Sequence, residues 1–441
     1  MPRPSCTRVT AFLTTLFATP CVAQTTPDAW RVAAPIIDVP YNTDTASPLP
    51  SIAQALGATQ SFYELSHYAL QEIFKDNKRA TAISIVAFDI VSSWLPLGNS
   101  WLHEEWHRAV MSHNGFSSHN GIYDFEFSDV IKVTDVTDEQ LTRLKAESPA
   151  DFVRMSSAGL EAQTVLTGEL ERSAFFFRTP VWIQPIILLN TLNTVGYLHT
   201  CAGTEANTIT ADANAVDGSD VAARDFTGLD CNAWVYDLFR PTEPYDVRGT
   251  HPSGVGIDRY RDYDDLTDEE RAYLRHQRNL SLLNFVDPFL FGREYFRYHD
   301  LQWNAALRHT LTPFGYALGS DFFVRHTDQR WHGTLNVYSN DELTTAGIDV
   351  TCRDMPLVWF GMPLRIAPRF ALWQQPDELL FRSGHAKTGG LLGLRVAAER
   401  QRRWQPYLEV ETKSAGWVMG NVDLDAATSF RVGVEFFPNR P

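Results

Sequence analysis

The stretch Trp101–Val110, WLHEEWHRAV, sets two histidines four residues apart with a glutamate directly after the first. On a helix, residues i and i+4 share a face, so His103 and His107 can offer imidazole nitrogens to a single metal ion. Zinc takes such ligands, acidifies a water it holds and polarises a carbonyl. Glu104, one step round the helix, is then placed to take that water's proton as a general base and return it to a leaving amine. The competing reading is a helix with two unconnected histidines, or a pair that only hydrogen-bonds. The flanks weigh against it: Trp101, Leu102, Trp106, Ala109 and Val110 are apolar, and Glu104 and Glu105 are costly among them unless partnered.

HEEWH has the form His-Glu-x-x-His and over these five residues resembles the zincin metallopeptidase superfamily. The resemblance implies Zn2+ on His103 and His107, a third protein ligand, Glu104 as the catalytic base and a peptide or protein substrate. In the gluzincin branch the third ligand is a glutamate from a second helix. Glu161, in VRMSSAGLEAQTVLTGELER, fits that role, with Ala158 and Gly159 small enough to let another helix come close. The chain departs from the branch at Val165, where an aspartate would orient a ligand histidine. Asp89 is one substitute for that support, and pairing of Asp89 with Ser92 or Ser93 is its other reading. His113 has the spacing of a metzincin third histidine, but Val110 replaces the glycine that would turn the chain there. A helix running on to a cap at Asn114 and Gly115 carries His113 off the metal face. Asp124, Glu126 and His119 are further ligand candidates, and His119, Tyr123, Tyr197 and His199 are candidate oxyanion donors. Histidines 103, 107, 113 and 119 together would also suit metal storage or sensing.

The elements around the motif are read from hydrophobic periodicity. SFYELSHYALQEIF is amphipathic at helical spacing. ATAISIVAFDIVSSWLPLG runs into the motif, and TPVWIQPIILLNTLNTVGYL, residues 179–198, opens on Pro180. Both are close to uniformly apolar and predict buried or membrane-dipping helices rather than plain anchors. Further on, Thr267 and Glu270 form a capping box for a helix that Pro288 closes.

From Leu301 the period changes to two. In SFRVGVEFF, Phe430, Val432, Val434 and Phe436 alternate with Arg431, Gly433 and Glu435, and GGLLGLRVAAER alternates in the same way. About eight such segments fill residues 301–437, each long enough for a tilted outer-membrane strand. Small and charged residues on one face suit a narrow lumen, and Trp331, Trp359, Trp373 and Trp404 suit interfacial girdles. The region resembles bacterial outer-membrane β-barrels, whose last strand is likewise rich in phenylalanine. A soluble barrel or sandwich is the other reading of the same alternation.

The chain has 441 residues and a formal net charge of -15 with no long basic run, which gives nucleic acid no electrostatic footprint. A short basic start, an apolar stretch and small residues before Gln24 read as a secretory signal over residues 1–23. Export permits disulfides, and Cys201 and Cys231 bracket a polar loop that burial could not hold, leaving Cys352 unpaired. The organisation expected is α+β: an extended leader over 24–60, a helical zincin-like metal-binding domain over 61–300 with the 201–231 disulfide loop, and an antiparallel β-barrel of about eight strands over 301–441. The function expected is an exported, membrane-associated zinc-dependent hydrolase of the bacterial outer membrane or periplasm, with outer-membrane lipid as a partner. Its alternative is a non-catalytic outer-membrane barrel with a helical plug and a structural histidine pair.

Overall fold

The computed structural model describes residues 30–125, 131–177, 182–399 and 402–439. The expected signal segment, Pro180 and Glu126 lie outside them. The helices in chain order are α1 (Tyr41–Asp44), α2 (Ile52–Ile73), α3 (Lys78–Ser92), α4 (Asn99–His113), α5 (Asp138–Glu147), α6 (Pro149–Phe176), α7 (Gln184–Cys201), α8 (Glu205–Val216), α9 (Asp230–Phe239) and α10 (Asp268–Ser281). The strands are β1 (Val32–Val39), β2 (His119–Asn120), β3 (Val133–Thr134), β4 (Phe296–Tyr298), β5 (Leu301–Thr312), β6 (Gly315–His326) and β7 (Gln329–Ser339). They continue as β8 (Thr344–Arg353), β9 (Met355–Trp359), β10 (Met362–Pro376), β11 (Ala386–Ala398), β12 (Trp404–Lys413) and β13 (Ala427–Phe436).

The period-two region becomes one antiparallel sheet of 11 strands, ordered β1-β13-β12-β11-β10-β8-β7-β6-β5-β4, with β9 on the side of β10. Two expectations are corrected. The sheet has more strands than the eight or so read from residues 301–437, because β1 and β4 join from outside that range. It is also not a closed barrel, since among the described residues no pairing links β1 to β4. Other elements cover β1 and the part of β5 that the short β4 leaves unpaired, as unpaired strand edges require. On one side α2 packs so tightly on β1 that a Cβ at Gly57 would lie 2.8 Å from Pro35. At the other edge Asn304 donates to the Arg293 carbonyl at 2.7 Å and the Leu307 amide to Val286 at 3.0 Å.

The inner face of the sheet is ionic. Arg369 bridges Asp349 at 2.6 Å and Glu411 at 2.8 Å, Arg431 meets Glu409 at 2.7 Å, and Arg395 meets Glu435 at 2.9 Å. The long helix α6 runs along this face, where Glu171 pairs with Arg308, and a cavity of about 370 Å³ remains between them. Burying so many charges is tolerable only because each guanidinium finds carboxylates. Of the expected girdle, Trp359 and Trp404 are exposed, but Trp373 is buried against Gly389 and Gly416, where any Cβ would come within 2.3 Å of its indole nitrogen.

Inside the expected leader, Val32–Val39 is extended and pairs with β13, and Ser51 starts α2 with a reciprocal Ser51–Gln54 capping box. The Thr267–Glu270 box forms as read. Pro288 does not end α10, which stops at Ser281; it opens a separate 3-10 turn, Pro288–Phe291. Cys201 and Cys231 are joined with their Cα atoms 6.1 Å apart, and Cys352 is unpaired and buried. Part of the loop they bracket is helical, as α8. No helix among the described residues is long and apolar enough to cross a membrane.

Candidate metal centre

The motif helix α4 starts where the chain makes a tight turn out of α3. A Cβ at Gly98 would sit 1.8 Å from the Ser92 carbonyl, so only glycine allows the approach. The helix runs through Val110 to His113 and ends at Asn114 and Gly115, whose φ of 84° is the left-handed stop glycine tolerates. It packs antiparallel to α6: His103 lies against Gly159, and the His107 Nδ1 is 2.6 Å from the Met155 carbonyl.

A third side chain closes on this pair from α9. The Asp230 Oδ2 is 2.9 Å from His103 Nε2 and 3.3 Å from His107 Nε2, and the three donors form a group able to hold a metal ion. Ligand atoms each ~2.0–2.1 Å from one tetrahedral ion lie roughly 3.3 Å apart, and the two histidine–aspartate distances lie near that value. The tautomer agrees. Because a carbonyl can only accept, His107 Nδ1 must carry a hydrogen, and its other nitrogen is turned to the Asp230 carboxylate. That buried Nε2 meets Asp230 as an ion-pair contact at 3.3 Å and has no other partner. A proton on that nitrogen or a cation between the two groups balances the Asp230 carboxylate.

Position and charge of the neighbours follow from the fold. Asp230 is the first residue of α9, where the helix end favours an anion. The adjacent Cys231 ties it by the disulfide to the end of α7, and Tyr197 of α7 accepts the Asp230 amide at 3.1 Å. Burial alone would raise Asp230, but His107 and His103 outweigh it and hold the carboxyl down at about 2. Burial would lower His107, and the Asp230 and Glu104 carboxylates lift it instead to about 9. The Glu104 carboxyl, pushed well above the usual range by burial, feels His107, Asp230 and a further buried acid, Asp225. Asp225 is raised to about 7 by burial and by Asp230, while accepting amides of Phe226, Gly228 and Val133. Among the described residues no hydrogen bond or ion pair engages Glu104, whereas its neighbour Glu105 is held by Arg108, Asn120 and Tyr123.

The other sequence candidates are placed elsewhere. Glu161 does not reach the histidines: it is fully buried with Arg154 at 3.2 Å, the Trp417 indole at 3.3 Å and the Gly420 amide at 2.7 Å. The reason is helical geometry, since position 161 lies about 200° round α6 from Gly159, the residue that receives His103. His113 faces Asp423 at 3.5 Å, and His119 faces Asp124 at 3.0 Å near the surface. Asp89 bonds His67 at 2.6 Å, and the Ser92 and Ser93 hydroxyls bond its backbone carbonyl rather than its carboxyl. Of the four oxyanion candidates, Tyr197 lies beside the pair, its ring 6.2 Å from that of His103, while Tyr123 bonds Trp101 and His199 its own helix. Asp230 was not singled out from the sequence. Its signal was the apolar run CNAWVYDLF directly after it, which marks a buried helix with an acid in its first turn. No protein-family model, curated protein or solved structure matches the chain.

Gly159 yields a direct test of this packing. An added Cβ would fall 2.3 to 2.5 Å from three atoms of the His103 ring. Gly159→Ala is therefore expected to displace His103, weaken metal affinity by about 10–100-fold, as loss of ligand orientation does, and cost about 1–3 kcal/mol through overpacking. Competitive chelator titration and thermal unfolding read both.

Proposed function

We propose that the chain is an exported, membrane-associated zinc-dependent hydrolase, and specifically a metallopeptidase, with the metal on His103, His107 and Asp230 and Glu104 as general base. The observation that carries this reading is the convergence of those three donors beside a carboxylate that no hydrogen bond or ion pair engages among the described residues. Two imidazoles and one carboxylate suit zinc and leave a fourth position for water or substrate. When bound, the ion supplies an acidified water and a polarised carbonyl.

The chain's own residues do the rest. The hydrogen bond from His107 Nδ1 to Met155 fixes the tautomer that presents Nε2 to the metal. Glu104, raised by burial, can take a proton and carry it to a leaving amine, which a carboxyl of ordinary acidity does less well at neutral pH. Tyr197 accepts the Asp230 amide and keeps its own hydroxyl proton for a developing oxyanion. Membrane association is supported by a sheet whose apolar side chains point outward, among them Phe370 and Leu392, over an ionic interior. The helix α6 lying against that interior favours the second reading, a plugged non-catalytic barrel-like protein. That reading leaves Glu104 without a role.

The test is proteolysis by the purified full chain on a mixed peptide library, with new termini read by mass spectrometry. Cleavage is expected to vanish on chelation and return with added zinc. No zinc-dependent cleavage would overturn the peptidase reading.

A further inference from the structure

We infer that α3 and α7 are part of the molecule's lipid-facing wall: they fill the gap of the open sheet, so that strands and helices together present one apolar belt to bilayer acyl chains. The inference rests on the membrane-associated part of the proposed function and goes beyond it by assigning the two helices to the wall.

Each helix turns an apolar stripe outward and keeps polar side chains inside, in α7 among the buried Ile186, Ile187, Val195 and Leu198. On α3 the exposed stripe is Ile83, Val86 and Ile90, at 70%, 41% and 49% exposure, continued by Trp94 just after the helix. Its inner side carries Asp89, bonded to His67, and the buried Ser92. On α7, Leu188 and Leu192 point outward while Asn190, Thr191 and Thr194 are buried, and Asn190 donates to Thr167 of α6. The sheet is arranged in the same way. Leu335, Phe370, Leu392 and Phe430 are exposed, and the charged residues between them are paired inside.

The apolar surface does not stop where the strands stop. Ile36 and Ile37 of β1 carry it round one edge toward α2 and α3, and Val286 and Phe291 carry it from α7 to β5. A second copy or a protein partner would cover a patch of such a surface. Apolar side chains exposed on the strands, at the sheet edges and on both helices match a surrounding solvent rather than one local partner, and the apolar solvent available to a protein is a bilayer. Monomers in water rarely expose more than a few hundred Å² of continuous apolar surface.

Two features that count against a simple barrel fit this arrangement. An open sheet edge cannot face hydrocarbon, because its amides and carbonyls would go unsatisfied, and here α2 covers β1 while the segment before β5 takes up the part of β5 that β4 leaves unpaired. Neither helix is long and apolar enough to cross alone, and each keeps polar side chains toward the interior, Asp89 and Ser92 on α3 and Asn190, Thr191 and Thr194 on α7. As parts of a shared wall their 15 and 18 residues extend about 22 and 27 Å at 1.5 Å per residue, close to the ~25 Å apolar band of outer-membrane barrels.

The experiment places one spin-labelled cysteine at a time in the full chain, reconstituted in vesicles of phosphatidylethanolamine and phosphatidylglycerol. Val86→Cys and Ile90→Cys report on α3, Leu188→Cys and Leu192→Cys on α7, Phe370→Cys on the sheet, and Asp212→Cys on exposed α8. Collision with oxygen, which concentrates in lipid, is compared with collision with a water-soluble nickel chelate. The helix and sheet positions are expected to favour oxygen severalfold over Asp212→Cys, and two sites per helix guard against one variant that does not fold. A lipid-exposed sheet with water-exposed helices would overturn the inference and leave membrane association standing. Water exposure at every position would overturn both, without touching the metal centre.

Discussion

Asp230→Ala is expected to purify without metal and with its fold intact, while Glu161→Ala keeps its metal and loses stability. Asp230 supplies the only carboxylate oxygen in the described group that faces both imidazoles. Without it two nitrogens remain, and affinity falls by more than the ~10–100-fold that loss of an outer partner costs. Glu161 works differently. Its carboxylate neutralises Arg154, which is itself fully buried, and satisfies Trp417 and the Gly420 amide. Removing one member of a buried ion pair leaves an uncompensated charge, at about 3–5 kcal/mol, so a large fall in Tm is expected. Elemental analysis and thermal unfolding of both variants separate the two roles. Metal retained by Asp230→Ala and lost by a fully stable Glu161→Ala would reverse the ligand assignment.

How much of this was readable from residues alone depends on the range of the interaction. The convergence of the two histidines was legible because their relation is local: i and i+4 meet on any helix. The sheet region was legible from strict alternation. The third donor beside them was not, because it depends on which helices meet and at what angle. A rotation of 200° round α6 separates Glu161 from the face that Gly159 and Met155 present to α4. The positions 155 and 159 are themselves spaced like the two histidines, and that match was the better guide to the contact. β1 was hidden for a different reason. In VAAPIIDV the register slips between Pro35 and Ile37, which breaks the period-two pattern that marks a strand. Closure was misread because alternation fixes which face is apolar and says nothing of what joins the two edges.

Glu104→Gln separates a catalytic glutamate from a merely tolerated one. Glutamine has nearly the same size and shape, so the packing of α4 against α6 and the three metal donors should persist, with one metal per chain and an unchanged Tm. What it cannot do is take a proton. The rate against a peptide cleaved by the unmodified chain is expected to fall by about 10²–10⁴-fold, the range a positioned acid–base group contributes. The loss should lie in kcat with KM little changed, since Glu104 bears on the step and not on ground-state binding. Glu104→Asp tests position: it keeps the carboxylate but withdraws it by one methylene, and it should recover part of the rate. If Glu104 were structural, both variants would lower Tm and lose activity only in proportion to unfolded chain. Full activity in Glu104→Gln with its metal in place would remove Glu104 from the mechanism and leave the metal centre in search of another base, for which Asp225, buried and raised to about 7 beside Asp230, is the acid already at hand.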